Sequence, residues 1–171
     1  FHSASINYIG IKHIRRGEPM KMLRAMREPL KYVQGKNACL EFEKEMGYMG
    51  KRFLFVCSNS GYKAAHDMIE QSFEGKGDYY RRYEVFGGIS SNGEINHMKS
   101  IVEEDNIDVV VAIGGGSAVD TAKATAYYAG KRIVILPTVA ATDAPCTGLS
   151  VIYNDDGSFD KYLFYRQNPD A

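Results

Sequence analysis

The sequence DVVVAIGGGS occupies residues 108–117 and combines an apolar run with three consecutive glycines and a serine. The run from Asp108 to Ile113 is rich in β-branched residues, which is typical of a strand covered on both faces, and therefore of a parallel sheet with helices above and below. The glycines permit a tight turn, and a helical pattern begins at Ser117. These ten residues predict a strand, a glycine turn and a helix.

Strands and helices alternate along the rest of the chain. The strand candidates are residues 30–34, 52–57, 83–87, 108–113 and 132–136, and the helix candidates are residues 38–46, 60–73, a segment from Ser91 and residues 117–128. Such alternation suits right-handed crossovers between parallel strands. Two alternating runs, residues 149–153 and 161–165, flank an Asp-Gly turn and predict a hairpin. The predicted fold class is α/β, a Rossmann-like doubly wound, mainly parallel sheet with a C-terminal β-hairpin.

The glycine turn is the most informative candidate site. Gly114, Gly115 and Gly116 let the backbone approach a ligand, and the helix start at Ser117 presents unpaired N–H groups and a partial positive charge to a phosphate. The spacing is not G-x-G-x-x-G, which would need glycine in place of Val119, and no G-K-[ST] follows to make a P-loop. We predict a pyrophosphate site, with a structural turn that holds no ligand as the alternative.

Two polar residues follow the turn on the same predicted helix. Ser117 and Asp120 have the spacing of a capping box, as do Ser91 and Glu94 at the preceding helix. Asp120 is expected either to brace the helix start or to contact the nucleotide, and repulsion from a diphosphate favours bracing. Lys123 either reaches toward the phosphates or lies on a solvated helix face, which is the simpler interpretation.

A second candidate site is the loop PTVAATDAPCT at residues 137–147, directly after a predicted strand. In open α/β sheets, ligands bind at the carboxyl ends of the strands. The hydroxyls of Thr138, Thr142 and Thr147 can hydrogen-bond a sugar or an amide, and Asp143 supplies a carboxylate. A purely structural loop is the alternative interpretation.

Composition restricts the class of protein. The 171 residues allow one α/β domain, and 21 basic residues against 21 acidic residues provide no field to hold nucleic acid or an anionic membrane. Three cysteines without a C-x-x-C pair argue against disulfides and a zinc knuckle, and favour a reducing, cytoplasmic setting. No apolar run approaches the roughly 20 residues that span a bilayer.

The first 25 residues are basic and lack a regular period, so residues 1–25 are predicted to be a poorly ordered extension. A basic, acid-poor segment is also typical of targeting peptides, which is the alternative. Residues 26–171 are predicted to be a single nucleotide-binding domain.

The chain closely resembles the glycerol dehydrogenases of the metal-dependent (iron-containing or zinc) alcohol dehydrogenase family in GGGSAVDTAKA (114–124), ILPTVAATDAPC (135–146), LSVIYNDDGSFDKYLFY (149–165) and NPD (168–170). The segment PLKYVQGKN at residues 29–37 is similar to the family's first strand and turn. The resemblance covers about residues 26–171. It implies a domain like the N-terminal domain of dehydroquinate synthase, which binds NAD.

The resemblance also implies roles for particular residues. Gly115 and Gly116 would lie against the pyrophosphate, Thr138 near the inner ribose and phosphate, and Asp143 on the polyol hydroxyl as the catalytic candidate. Thr147, Leu149, Val151 and Tyr153 would line the nicotinamide side. The cofactor-binding candidates are Gly114, Gly115, Gly116, Ser117, Asp120, Thr138, Thr142, Thr147, Leu149, Val151 and Tyr153.

The chain departs from the family pattern after the strand at residues 52–57. Family members often carry an aspartate there for the adenine ribose, whereas this chain reads Val56-Cys57-Ser58-Asn59. Without that carboxylate nothing repels a 2′-phosphate, so NADP is not excluded.

The function implied by the resemblance is NAD-dependent oxidation of glycerol or a related vicinal diol by hydride transfer. The family's Zn²⁺ ligands, one aspartate and two histidines in a helical domain, would lie beyond Ala171, and none of the four histidines present has metal-ligand spacing. We expect Zn²⁺ and a homo-oligomer only in a full-length enzyme, and no turnover by this chain alone. The alternatives are a glycerol-phosphate dehydrogenase of the same superfamily and a truncated, non-catalytic nucleotide-binding module.

Overall fold

The computed structural model describes residues 29–171. The predicted extension at residues 1–25 lies outside the described residues, and the predicted domain of 26–171 is described from Pro29. The elements in chain order are α1 (Phe42–Met46), β1 (Arg52–Cys57), α2 (Asn59–Ser72), β2 (Tyr80–Val85), α3 (Asn92–Glu104), β3 (Val109–Gly114), α4 (Gly116–Ala129), β4 (Arg132–Pro137), β5 (Leu149–Tyr153) and β6 (Phe159–Phe164). Short 3-10 helices span Ala38–Glu41, Gly47–Met49 and Ala144–Cys146. In the part of the chain from residue 29 onward, no helix is both long enough and apolar enough to cross a membrane.

Four strands form one parallel sheet in the order β2-β1-β3-β4. After β1 the chain adds β2 on one side, then returns across β1 to add β3 on the other, so the direction of winding reverses between β1 and β3. The strands β5 and β6 form a separate antiparallel hairpin. The predicted α/β class, with a mainly parallel sheet and a C-terminal hairpin, is confirmed.

The sheet is covered on both faces, as the apolar sequence of β3 predicts. Leu54 and Val110 lie on the face that packs against α3 and α4. Phe53 and Val109 lie on the opposite face, which packs against α1 and α2. Every residue of β3 is buried, and each buried valine or isoleucine contributes about 1.5–3 kcal/mol relative to an exposed one. The sandwiched sheet is therefore a rigid support for the loops at its carboxyl edge.

The hairpin packs on the outer side of α4. Ile152 and the partly buried Leu163 join Ile95 of α3 and Ala124 of α4 in a small core cluster. Tyr153 also forms an isolated bridge with Ser91, at the start of α3. The hairpin therefore carries the chain from the carboxyl edge of the sheet across the outer helices.

At the start of α3, only one of the two hydrogen bonds of the predicted capping box is formed. The Ser91 hydroxyl accepts from the Glu94 amide at 3.2 Å, as expected. The Glu94 carboxylate, however, accepts from the Gly87 amide at 3.0 Å instead of returning to Ser91. The acid therefore ties the start of the β2–α3 loop to the first turn of the helix.

Three other predicted elements differ from the structure. Residues 30–34 do not form a strand, although the amides of Leu30 and Lys31 donate to the carbonyls of Pro169 and Asp170 at 3.4 and 3.1 Å. The helix predicted for residues 38–46 is divided into a 3-10 turn and the short α1. The strand predicted for residues 83–87 begins at Tyr80 and ends at Val85, because these six residues pair in parallel register with all six residues of β1.

Candidate dinucleotide site

The carboxyl ends of β1 and β3 meet where the winding reverses. The Ser58 amide, just after β1, donates to the carbonyl of Ile113 at 2.9 Å. The Ser58 hydroxyl caps α2 by accepting from the Gly61 amide at 3.0 Å. Since α2 and α4 start from adjacent strand ends on opposite faces of the sheet, both helix N-termini lie at this point. In doubly wound sheets this is the position at which ligands bind.

Two glycines allow this close approach. A methyl group added at Gly61 would lie 2.4 Å from the carbonyl oxygen of Ile113. A methyl group at Gly114 would lie 2.7 Å from Cβ of Ala118 and 3.2 Å from the Ser58 hydroxyl. Gly61 was missed by the sequence interpretation, although Ser58 followed by an apolar helical pattern is a recognisable N-cap.

The glycine turn leaves the start of α4 open. The helix begins at Gly116, one residue before the predicted start at Ser117, and Gly115 is its N-cap residue. Within the described chain no side chain caps this helix, so the first amides, which have no intrahelical partner, are available to an anion. The expectation that Ser117 and Asp120 form a capping box is wrong, because Asp120 is bound elsewhere.

The glycine turn faces the threonine-bearing loop. The Thr138 amide donates to the carbonyl of Gly114 at 3.0 Å. Methyl groups added at Gly115 and Gly116 would point toward Val139 and Thr142, with nearest atoms at 3.7 and 3.5 Å. The structure thus brings the two predicted sites together, and the space between them is bounded by backbone on one side and by small side chains on the other.

Asp143 lies at the exposed end of this loop. It precedes the short 3-10 helix Ala144–Cys146, and its carbonyl accepts from the Cys146 amide at 2.9 Å. The Thr142 hydroxyl accepts from the Ala144 amide at 3.2 Å. Backbone bonds therefore hold this corner of the loop while the Asp143 side chain stays accessible from the solvent.

Lys123 takes neither of the positions that the sequence suggested. Its side chain is 2% exposed. The ammonium group donates to the carbonyls of Ala144 at 2.8 Å, Thr147 at 3.3 Å and Leu149. It is therefore neither a solvated helix-face lysine nor a group extended toward the glycine turn.

Asp120 is the counter-charge of this lysine. Its Oδ1 lies 3.3 Å from the Lys123 ammonium nitrogen, and its Oδ2 accepts from the Val151 amide at 3.2 Å. Burial raises the pKa of Asp120 and lowers the pKa of Lys123, and in both cases the attraction within the pair opposes burial. The prediction that Asp120 contacts the cofactor stays a prediction, and its carboxylate is bound here to Val151 and Lys123.

The first strand of the hairpin presents one face toward solvent. Leu149, Val151 and Tyr153 are partly exposed, whereas the alternating residues Ser150 and Ile152 are buried. The side chains predicted to line the nicotinamide side therefore share a face, as the period of two in a strand requires.

The end of β1 carries no carboxylate. Val56 and Cys57 are fully buried, Ser58 caps α2, and Asn59 is exposed. Burial raises the pKa of the Cys57 thiol to about 12, so this cysteine is structural. The described chain thus offers hydroxyl and amide groups at the position where family members often carry a ribose-binding aspartate.

Two cavities of about 500 Å³ flank this region rather than coincide with it. One lies beside the outer edge of β4 and reaches the threonine-bearing loop through Val139 and Thr142. The other lies beneath Tyr165, next to Lys123 and the end of α4. The glycine turn and the loop face each other across a narrow space, here termed the cleft, in which methyl groups added at Gly115 and Gly116 would contact Val139 and Thr142.

The residues from 29 to 171 contain no cluster of three or more histidine, cysteine, aspartate or glutamate side chains able to hold a metal ion. His66 lies beside Asp67, with 2.9 Å between Nδ1 and the carboxylate, and its ring packs against Tyr62 and Tyr83. His2 and His13 lie outside the described residues. The described part of the chain therefore does not supply a metal site.

Comparison with known proteins shows where such a domain occurs. The family model for iron-containing alcohol dehydrogenases matches residues 29–171. A glycerol dehydrogenase of Thermotoga maritima is 43% identical over 143 residues, which cover 84% of this chain and 38% of that protein. A glycerol dehydrogenase of Escherichia coli O6:H1 is 38% identical over 148 residues, which cover 86% of this chain and 40% of that protein.

A solved structure is similar over the same region. The crystal structure of a probable glycerol dehydrogenase from Sinorhizobium meliloti has a TM-score of 0.76 and 35% sequence identity, and the match covers 87% of this chain and 40% of that one. The chain thus spans about 40% of the length of the relatives that it matches. Since the family model covers all of the described residues, the chain belongs to the iron-containing alcohol dehydrogenase family.

Proposed function

We propose that this chain binds NAD at the reversal point between β1 and β3, as the cofactor-binding part of a polyol dehydrogenase. The observation that carries the proposal is the uncapped N-terminus of α4, which faces the loop from Thr138 to Thr147 across the cleft. The amides at Gly115, Gly116 and Ser117 would receive the diphosphate, because unpaired N–H groups and the helix dipole both favour an anion there.

The remaining candidates are assigned by their place around the cleft. Thr138, whose amide is bonded to Gly114, lies beside the turn and would contact the inner ribose and phosphate region. Thr142 faces Gly116 and would bound the same space. Thr147 and the outward face of β5, formed by Leu149, Val151 and Tyr153, would line the nicotinamide side. NADP stays an alternative cofactor, because the end of β1 offers no carboxylate to repel a 2′-phosphate.

The proposed reaction is the oxidation of glycerol or a related vicinal diol. Bound NAD supplies the hydride acceptor. Asp143, exposed at the rim of the cleft, would hydrogen-bond a substrate hydroxyl and orient it. A solvent-exposed carboxylate is a weak base, so orientation is the role that suits it. Similarity to proteins named glycerol dehydrogenase supports this substrate class.

A metal enters this proposal only through the family. The described residues do not fit a metal ion, so no step is assigned to one here. Zinc or iron, the polyol and any homo-oligomer belong to the proposal for the whole enzyme. The expectation that the chain alone turns over no alcohol stays a prediction, and it is tested by assaying alcohol-dependent NADH formation.

Titration of the purified chain with NADH tests the binding site. Gly116→Ala should weaken NADH binding about tenfold, which corresponds to about 1.4 kcal/mol, since the methyl group projects into the cleft. Its nearest neighbour would be the Thr142 hydroxyl at 3.5 Å, an ordinary contact, so the thermal unfolding temperature should not change. Gly35→Ala is the matched control, because nothing lies within 4 Å of the added methyl group. Equal affinities for the wild-type chain and Gly116→Ala would overturn the proposal.

A further inference from the structure

The segment that follows Asp143 folds around one buried cationic group, the ammonium group of Lys123. The Lys123 ammonium group donates to the carbonyls of Ala144, Thr147 and Leu149, which span the whole segment between Asp143 and β5. An ammonium group has three N–H donors, and these serve four oxygen neighbours: the three carbonyls and the Asp120 carboxylate, 3.3 Å away. A neutral amine has only two N–H donors for the same four oxygens, so the arrangement favours the charged form.

The same helix also holds the first residues of the hairpin. The Asp120 carboxylate accepts from the Val151 amide, and the Asp120 carbonyl accepts from the Ser150 hydroxyl, both at 3.2 Å. Asp120 and Lys123 are three residues apart, on one face of α4. The Asp143 loop and β5 are thus both hydrogen-bonded to one buried ion pair on α4, the helix whose first turn borders the cleft.

From this geometry we infer that Lys123 is a positioning residue, which sets the Asp143 loop and β5 at a fixed distance from the glycine turn without touching the ligand. The inference rests on the proposed function, because it assigns the glycine turn to the diphosphate and β5 to the nicotinamide. It predicts that the two ends of the dinucleotide respond differently to loss of the lysine. The diphosphate end is bound by the start of α4 itself, whereas the nicotinamide end depends on the loop that Lys123 holds.

The test compares NADH with ADP, which carries the adenosine and diphosphate alone, by calorimetric titration of the 171-residue chain. Lys123→Met should weaken NADH binding about tenfold and leave ADP binding unchanged. Asp120→Asn/Lys123→Met removes both buried charges and should give the same selective loss in a chain that carries no unpaired carboxylate. Lys99→Met, which removes a lysine with a partly exposed ion pair to Glu103 on α3, is the matched control and should bind both ligands like the wild-type chain.

Hydrogen exchange provides a readout that needs no ligand. In both Lys123 variants the amides of Cys146 and Val151, which are bonded to Asp143 and Asp120, should exchange about tenfold faster, while the β3 amides keep their protection. Equal weakening of NADH and ADP, unchanged binding of both, or unchanged exchange at Cys146 and Val151 would overturn the positioning role. If the wild-type chain binds neither ligand, the proposed function is wrong, and the exchange rates alone then decide whether Lys123 holds the loop.

Discussion

Gly114 and Gly116 are two residues apart, yet an added methyl group would meet different surroundings at the two positions. At Gly114 it would press on Cβ of Ala118 at 2.7 Å and on the Ser58 side chain. Neither neighbour can move without shifting a helix start, and overpacking of this kind costs about 1–3 kcal/mol. At Gly116 the methyl group would face the cleft. The turn therefore contains one glycine needed for packing and another needed for access.

This difference predicts the stability of Gly114→Ala. We expect its thermal unfolding temperature to fall by several degrees, since a loss of 1 kcal/mol shifts a domain of this size by about 2–4 °C. Circular dichroism of Gly114→Ala, Gly116→Ala and Gly35→Ala measures the effect. A drop in Gly116→Ala equal to that in Gly114→Ala would show that both glycines serve packing alone.

The three cysteines lie in different surroundings. Cys57 is buried and Cys146 is exposed, while Cys39 is intermediate. Burial raises the pKa of Cys57 to about 12 and also raises that of Cys39. Because the thiolate is the reactive form, a thiol reagent at pH 8 should label Cys146 first, Cys39 more slowly and Cys57 only on unfolding. Cys146→Ala should remove the fast phase, and labelling of Cys57 in the folded chain would contradict this description of the core.

At the scale of the elements, the end of α3 is tied to the edge strand β2. The Asp105 carboxylate, at the C-cap of α3, accepts from the Tyr80 hydroxyl at 2.6 Å and from the Arg82 guanidinium at 2.9 Å. These hydrogen bonds hold the pKa of Asp105 below its usual range. A depressed pKa in the folded state stabilises the fold above the unfolded pKa near 4, and this contribution is lost as the pH falls through the folded pKa.

Asp105→Asn should therefore unfold at a lower temperature than the wild-type chain at pH 7. The difference should shrink below about pH 4, because protonation then removes the same interactions from the wild-type chain. Thermal unfolding from pH 7 to pH 3 measures this, with Asp78→Asn at an exposed position as the control. A difference that is independent of pH would show that the charge of Asp105 contributes nothing.

The sequence predicted elements well where local pattern and tertiary burial agree. The strand β3 and the hairpin are strong patterns, and both lie close to their predicted bounds. The sequence pattern gave wrong predictions where a segment distant along the chain determines which groups a side chain binds. Asp120 and Lys123 have the spacing of a helix start and a helix surface, but a segment more than 20 residues later covers them. Lys123 donates to the carbonyl of Ala144, and Asp120 accepts from the amide of Val151. The Glu94 carboxylate likewise accepts from the amide of Gly87, in the preceding loop, and not from the amide of Ser91.

At the scale of the whole molecule, the site follows from the order in which the strands are added. The reversal between β1 and β3 puts the starts of α2 and α4 side by side, and Gly61 and Gly114 allow the backbones to approach. The predicted glycine turn and threonine-bearing loop are thereby brought face to face. The roles of individual residues could not be predicted to the same depth, since local spacing does not reveal which distant backbone groups a side chain will bind.

A crystal structure of the chain with bound NADH tests the central claim most directly. We expect the diphosphate oxygens within hydrogen-bonding distance of the amides of Gly115, Gly116 and Ser117, and the nicotinamide beside Thr147 and the outward face of β5. A dinucleotide bound elsewhere, or a glycine turn still packed against Val139 and Thr142 with no phosphate between them, would contradict the account.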